Sequence, residues 1–112
     1  MGYGVPMTAD PEVMVRDDPA KHRFEALVDG SVAGFTTYQQ QGDVLAFLHT
    51  EVDDAYEGQG VGSTLVKEAI QAARARGVGV LPSCSFVASY LRRHPDLQDV
   101  VPAGERARFG LA

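Results

Sequence analysis

Apolar positions along the chain change their period once, near residue 60. Before that point they alternate with polar ones in short runs broken by Asp, Gly and Pro, as strands joined by tight turns do. Glu12 to Asp17 reads as a first strand with Asp17-Asp18-Pro19-Ala20 as its turn. His22 to Asp29 reads as a second, in which Phe24, Ala26 and Val28 alternate with Arg23, Glu25 and Leu27 and Gly30 ends the run. Ser31 to Gln41 follows, with Val32, Gly34, Thr36 and Tyr38 on one face. The Gln41-Gly42-Asp43 turn leads into a largely buried fourth strand, where Val44, Ala46, Leu48 and Val52 fall at alternating positions. Links this short imply an antiparallel meander.

From Val61 the spacing becomes three and four. Val61, Leu65, Val66, Ala69, Ile70 and Ala73 form one stripe of an amphipathic helix, which Gly77 closes. Gly77 to Pro82 predicts a fifth strand, parallel to the fourth through a crossover. Ser83 or Cys84 opens a second helix that runs to Arg93, with Phe86, Val87, Tyr90 and Leu91 as its apolar face and His94-Pro95 as its end. Leu97, Val100 and Val101 predict a last short strand. Residues 1–11 read as a loose N-terminus, 12–101 as one α/β domain and 102–112 as a C-terminal tail.

Between the central strand and the helix stands Gly58-Gln59-Gly60-Val61-Gly62-Ser63. Alternating glycines let backbone approach a ligand, and the first N–H groups of a helix lack intrahelical partners. With the positive end of the helix dipole, such a turn binds phosphate. A dinucleotide fingerprint needs a third glycine at the sixth position, which here is Ser63, and a Walker loop needs Gly-Lys-Ser/Thr, which is absent.

The stretch resembles motif A of the GNAT superfamily of acetyl-CoA-dependent N-acetyltransferases, where a strand, a Gln/Arg-x-x-Gly-x-Gly/Ala loop and a helix hold the pyrophosphate of CoA. Gly60-x-Gly62 matches, while Glu57 stands where Gln or Arg is usual. His49-Thr50-Glu51-Val52, Tyr56-Glu57-Gly58-Gln59-Gly60, Pro82-x-Cys84 and Tyr90-Leu91-Arg92-Arg93-His94-Pro95 together are similar to the small, single-domain subfamily of minimal acetyltransferases, over roughly residues 12 to 100. That resemblance implies an α/β fold with a mostly antiparallel mixed sheet splayed between its fourth and fifth strands. It has two main helices, and the usual first two are missing because the link between the first strands is too short. It implies acetyl-CoA as co-substrate, held by Val52, Gly58, Gln59, Gly60, Val61, Gly62 and Ser63, and acetyl transfer to an amine.

The resemblance places Val52 and Tyr90 near the reaction, and the residues' own positions add Cys84, His49 and Glu51 as candidates. Val52 offers its N–H to the thioester carbonyl. Cys84, at a helix N-terminus, is a covalent carrier, a lining residue or a small buried hydrophobe. Tyr90 stands where many relatives keep the acid that protonates departing CoA, or else belongs to the core. His49 and Glu51 share parity, so unless a bulge intervenes they share a face; either is a candidate base or a loop-holding hydrogen bonder. Arg92, Arg93 and His94 complement the dipole at a helix end.

Composition narrows the picture further. At 112 residues and 45% hydrophobic the chain is one domain with a real core, and its net charge of −5 argues against nucleic acid or an acidic membrane as the main partner. One cysteine allows no internal disulfide. No leader-like or long apolar run is present, so a cytoplasmic location is expected. The three histidines show no metal-ligand spacing. Partners are then a small-molecule cofactor and an amine acceptor, with the chain a monomer or weak dimer. Two other readings stay open: a non-catalytic acyl-CoA-binding module, and an interaction domain whose glycines merely turn the chain.

Overall fold

The computed structural model describes residues 12–111, so the loose N-terminus expected for 1–11 lies outside the described residues. Five strands form one sheet: β1 (Val13–Asp18), β2 (Arg23–Val28), β3 (Ser31–Gln41), β4 (Val44–Val52) and β5 (Gly79–Leu81), in the spatial order of the chain. The first four pair antiparallel, and β5 joins β4 in parallel. Two helices, α1 (Val61–Ala75) and α2 (Ser85–Arg92), complete the α/β architecture. Only a 3-10 turn, Pro19–Lys21, and His22 join β1 to β2, which leaves no length for helices there.

Local chemistry explains the boundaries. Asp29 and Gly30 both take positive φ, 52° and 81°, as a two-residue hairpin turn matched to strand twist requires. Gly77, at φ 72°, ends α1 with paired bonds from its own N–H to Arg74 O and from Val78 N–H to Ala73 O. Val61, Leu65, Val66, Ala69, Ile70 and Ala73 are buried as their spacing predicts, against Phe24, Ala26, Leu45 and Phe47 of the sheet.

Two expectations about strand faces are corrected. Ala26 pairs with Gly34 but Leu27 pairs with Val32, so Ala33 is an extra residue in β3. Thr37 pairs with His49 but Tyr38 with Phe47, so Leu48 is an extra residue in β4. Each bulge reverses the alternation beyond it. Ala33 is therefore buried while Val32 is exposed, and Leu45 and Phe47 enter the core while Leu48 is 47% exposed. The short strand expected around Leu97 to Val101 is instead a 3-10 helix, Pro95–Val100, entered through Pro95. Residues 102–111 pack back through two further 3-10 turns, and Leu111 is buried in the main core.

Polar links tie the sheet's two faces. On the helix side, Tyr38 Oη donates to Asp17 Oδ1 at 2.6 Å and Arg76 Nη2 to Asp17 Oδ2 at 2.6 Å, joining β3, β1 and the end of α1. On the other face the buried Glu25 accepts from Arg16 Nε and Arg23 Nε, each at 2.8 Å. Burial pushes the Glu25 carboxyl up, but the hydrogen bonds and charges of the two arginines outweigh it and hold it below its ordinary value.

This packing predicts two outcomes. Phe47→Ala should cost about 3–5 kcal/mol in urea unfolding, and Leu48→Ala no more than about 0.5 kcal/mol; an unbulged strand would reverse the ranking. Because the Glu25 carboxyl is lowered in the folded state, the stability it lends is present above its ordinary pKa of 4.5 and is lost as pH falls below it. The urea midpoint of the wild type should therefore drop further between neutral pH and about pH 3 than that of Glu25→Gln, and equal drops would contradict the assignment.

Candidate functional site

After β4, Asp53 accepts a hydrogen bond from Ala55 N–H at 2.9 Å and starts a 3-10 turn over Asp54–Tyr56. Gly58 and Gly60 then take φ of 80° and 77°, a left-handed conformation that a side chain disfavours. Thr64 N–H donates to Gly60 O at 3.0 Å, the first bond of α1. No side chain caps this end, so the N–H groups of Val61, Gly62 and Ser63 point out of the helix without an intrahelical acceptor.

These groups border a cleft of about 240 Å³ whose lining includes Val52, Gly58, Gly60, Val61, Gly62 and Ser63. Gln59, also expected there, turns away, its Nε2 donating to Ala55 O at 3.4 Å. Tyr56, Glu57 and Phe86 complete the wall. Phe86 is a correction: expected on the buried face of the second helix, it is 38% exposed and lies over α1. A Cβ at Gly62 would come within 2.7 Å of Phe86 Cζ and 3.2 Å of Val52 Cγ2, so ring and strand meet over this bare glycine. Around Gly60 a Cβ would meet nothing.

β5 pairs with Val44, Leu45 and Ala46 only. Cys84 N–H to Phe47 O, at 2.7 Å, is the last backbone link before the two segments part. Beyond it, among the described residues, no strand pairs with that edge of β4. Asp53 N–H donates to Ala33 O on β3, and donors alternate along a strand, so the N–H groups of Thr50 and Val52 face the gap.

His49 and Glu51 lie together on the outer face, Nε2 to Oε2 2.7 Å apart, both well exposed. Thr50 points the other way. Its Oγ1 lies 2.9 Å from Oγ1 of the fully buried Thr36 and accepts from Cys84 Sγ at 3.3 Å. Cys84 itself is buried at the residue before α2. Tyr90 stands apart: its ring stacks on His94 at 4.0 Å, and its side chain shares no hydrogen bond with another candidate among the described residues. Burial raises the Tyr90 phenol's pKa, the Asp96 and Glu68 charges add to that, and Arg93 opposes it. The motifs contain Tyr56 and Thr50, and the patterning puts Phe86 on a buried helix face and Thr36 on a strand face, but none of the four is expected at the site from the sequence. Of these, only Thr50 gave a signal, its parity being opposite to that of His49 and Glu51.

Among the described residues, no group of three or more His, Cys, Asp or Glu is arranged to hold a metal, and no helix is long and apolar enough to cross a membrane.

Similarity to known proteins runs along the same lines. The structure of a GCN5-like protein from Staphylococcus aureus superposes with a TM-score of 0.61 at 26% identity, over 85% of this chain and 91% of that one. The ribosomal-protein-S18-alanine N-acetyltransferase of Escherichia coli superposes with a TM-score of 0.50 at 29% identity, over 52% of this chain; the match spans only 38% of that enzyme's length. Residues 23–100, from β2 through the turn after α2, match the family model described as GCN5-related N-acetyl-transferase. With the match covering most of its length, the chain belongs to the GCN5-related N-acetyltransferase family.

Proposed function

We propose that this chain binds acetyl-CoA in the cleft at the start of α1 and transfers the acetyl group to an amine. The observation that carries this reading is the meeting, at Val52, of an uncapped helix N-terminus and an open strand edge. The N–H groups of Val61, Gly62 and Ser63 would hold the pyrophosphate, and the free edge of β4 would pair with the amides of the pantetheine arm. Glu57 on the cleft wall opposes phosphates. Acetyl-CoA supplies a thioester whose carbonyl carbon is ready for attack.

The residues of the chain then act in turn. The hydrogen-bonded Glu51–His49 pair takes one proton from the incoming ammonium. Val52 N–H, with Thr50 N–H facing the same gap, stabilises negative charge on the carbonyl oxygen as the amine nitrogen bonds to carbon. The carbon–sulfur bond breaks as Cys84 or Tyr90 gives a proton to the departing sulfur, and the second proton, which the nitrogen sheds on becoming an amide, restores that donor. Holding both reactants in one complex supplies much of the rate by orientation alone. A second reading, a non-catalytic acyl-CoA-binding module, is favoured by the four-residue link between β1 and β2, which offers no lid over an acceptor. Release of free CoA thiol in the presence of polyamines, amino acids and lysine peptides separates the two, because a binding module gives none.

Gly60→Asp tests the cleft. A Cβ has room there, but the φ of 77° costs a side chain about 1–2 kcal/mol, least for Asn and Asp, so Gly60→Asn is the uncharged control with the same strain; beside it the added carboxylate should lower CoA affinity by at least about a hundredfold, measured calorimetrically, and retained affinity would refute the loop assignment. Cys84 can also be tested as an acetyl carrier. Direct transfer predicts an unchanged intact mass after incubation with acetyl-CoA without amine, and a stable adduct on Cys84 would replace it by a two-step route.

A further inference from the structure

The sheet ends on two outer strands, β5 and β1, and the chain treats them differently. Val100 and Pro102 pack against β5, where a Cβ at Gly79 would lie 3.3 Å from Val100 O and 3.4 Å from Pro102 Cδ. β1 is bare by comparison: among the described residues, no strand pairs with its outer side. Its ladder with β2 is regular over all six residues, with no bulge to twist it away and no proline within it. Such an edge is a template for another strand unless charge or shape guards it. Here the charges are already engaged, since Arg16 pairs with Glu25, and Asp17 accepts from Tyr38 and Arg76. Met14 is left 61% exposed.

The backbone pattern fixes which groups point outward. Tyr38 N–H donates to His22 O at 2.9 Å, so that carbonyl faces β3. Backbone direction alternates along a strand, and Arg23, Glu25 and Leu27 therefore turn their N–H and C=O to β1. Their partners there are Asp18, Arg16 and Met14. The N–H and C=O of Val13, Val15 and Asp17 are left facing outward. A second β1, antiparallel about a twofold axis, has one register that suits both side-chain faces. With Met14 opposite Met14, Val13 meets Val15 in pairs that exchange hydrogen bonds, about four in all. The valines then adjoin on the helix side, where both already pack against the core. On the outer face Glu12 meets Arg16, which engages Glu25 through Nε and has further guanidinium donors for a second carboxylate. An axis at Val15 would set Glu12 against Asp18, one at Arg16 would set that cation against itself, and one at Val13 would leave Glu12 opposite Met14.

We infer that β1 is a self-association edge whose partner is a second copy of this chain, joined strand to strand about a twofold axis at Met14 into one continuous sheet. Backbone hydrogen bonds supply the contact, and the Glu12–Arg16 pairs select the register. One short strand from each copy makes a small seam, so the dimer is concentration-dependent. The inference stands apart from the acetyl-transfer reading. β2 and β3 separate β1 from β4, and the cleft that Val52 borders stays open in both copies.

The test is sedimentation of the full-length chain from about 10 µM to about 1 mM, across which the dimer share should rise. Met14→Lys sets like charges against each other at the axis and should lower the association constant at least about tenfold. Val13→Pro removes an outward N–H at the first residue of an edge strand and should do the same. Both variants should keep the wild-type circular dichroism spectrum, since neither removes a bond to β2. A crosslink reads the register. Across a non-hydrogen-bonded pair the Cα atoms stand about 4.5 Å apart, within the span of a disulfide. Met14→Cys should therefore give a disulfide-linked dimer under mild oxidation. Glu12→Cys, about 14 Å from its counterpart, should not, and the buried Cys84 is common to both variants. A chain still monomeric at about 1 mM, a dimer that neither Met14→Lys nor Val13→Pro weakens, or equal crosslinking by the two cysteine variants would overturn the inference.

Discussion

β4 carries one residue more than β3 across their shared ladder, and Leu48 is the residue left without a partner. Because side chains alternate along a strand, that single insertion reverses which face every later residue meets. Leu45 and Phe47 stay in the core, Thr50 points inward to Thr36 and Cys84, and His49 and Glu51 come out together. Without the bulge, His49 and Glu51 would share the face of Phe47, and two ionisable side chains would be forced against α1 at a large desolvation cost. The extra residue therefore lets one strand serve the core first and the site afterwards.

The parting of β4 and β5 is the second constraint, and it has a chemical origin. Pro82 has no N–H to continue a ladder, so β5 stops at Leu81 and the chain turns, with Ser83 N–H donating to Leu81 O. Cys84 N–H makes one last bond to β4 before α2 begins. Past that bond, no strand among the described residues pairs with the edge of β4 next to the start of α1, where free N–H groups again face outward. Two sets of donors that water or ligand must satisfy are brought to one place by the point at which pairing stops.

The glycines near this place do different work. Gly58 and Gly60 are conformational, holding left-handed backbone that turns the chain into α1. Gly34 is steric, since a Cβ there would lie 2.7 Å from the backbone carbonyl of Glu51, whereas a Cβ at Gly62 would meet the tip of the 38% exposed Phe86 ring, which can swing aside. Spacing along the chain treats Gly58, Gly60 and Gly62 as one motif, although only the first two are needed for the backbone's path.

Local pattern was enough to establish the order and kind of nearly every element from the first strand through α2, because periods of two and of three to four residues, with glycine and proline between them, are written in neighbouring positions. It was also enough for the glycine turn at a helix start and for the short β1–β2 link that excludes extra helices. Packing set the rest. The two bulges leave no mark in composition, so the inward places of Phe47 and Ala33 and the exposure of Leu48 and Val32 emerge only from pairing with neighbouring strands. The path of residues 95–111 is set by burial of Leu97, Val100, Val101 and Leu111 against the body, which no local period announces. Phe86 lies in the cleft rather than the core because α2 crosses α1 where Gly62 leaves space. The pairing of Cys84 with Thr50 spans 34 positions of sequence. Such contacts depend on how strands and helices stack, and a pattern read along one chain carries no distance across it.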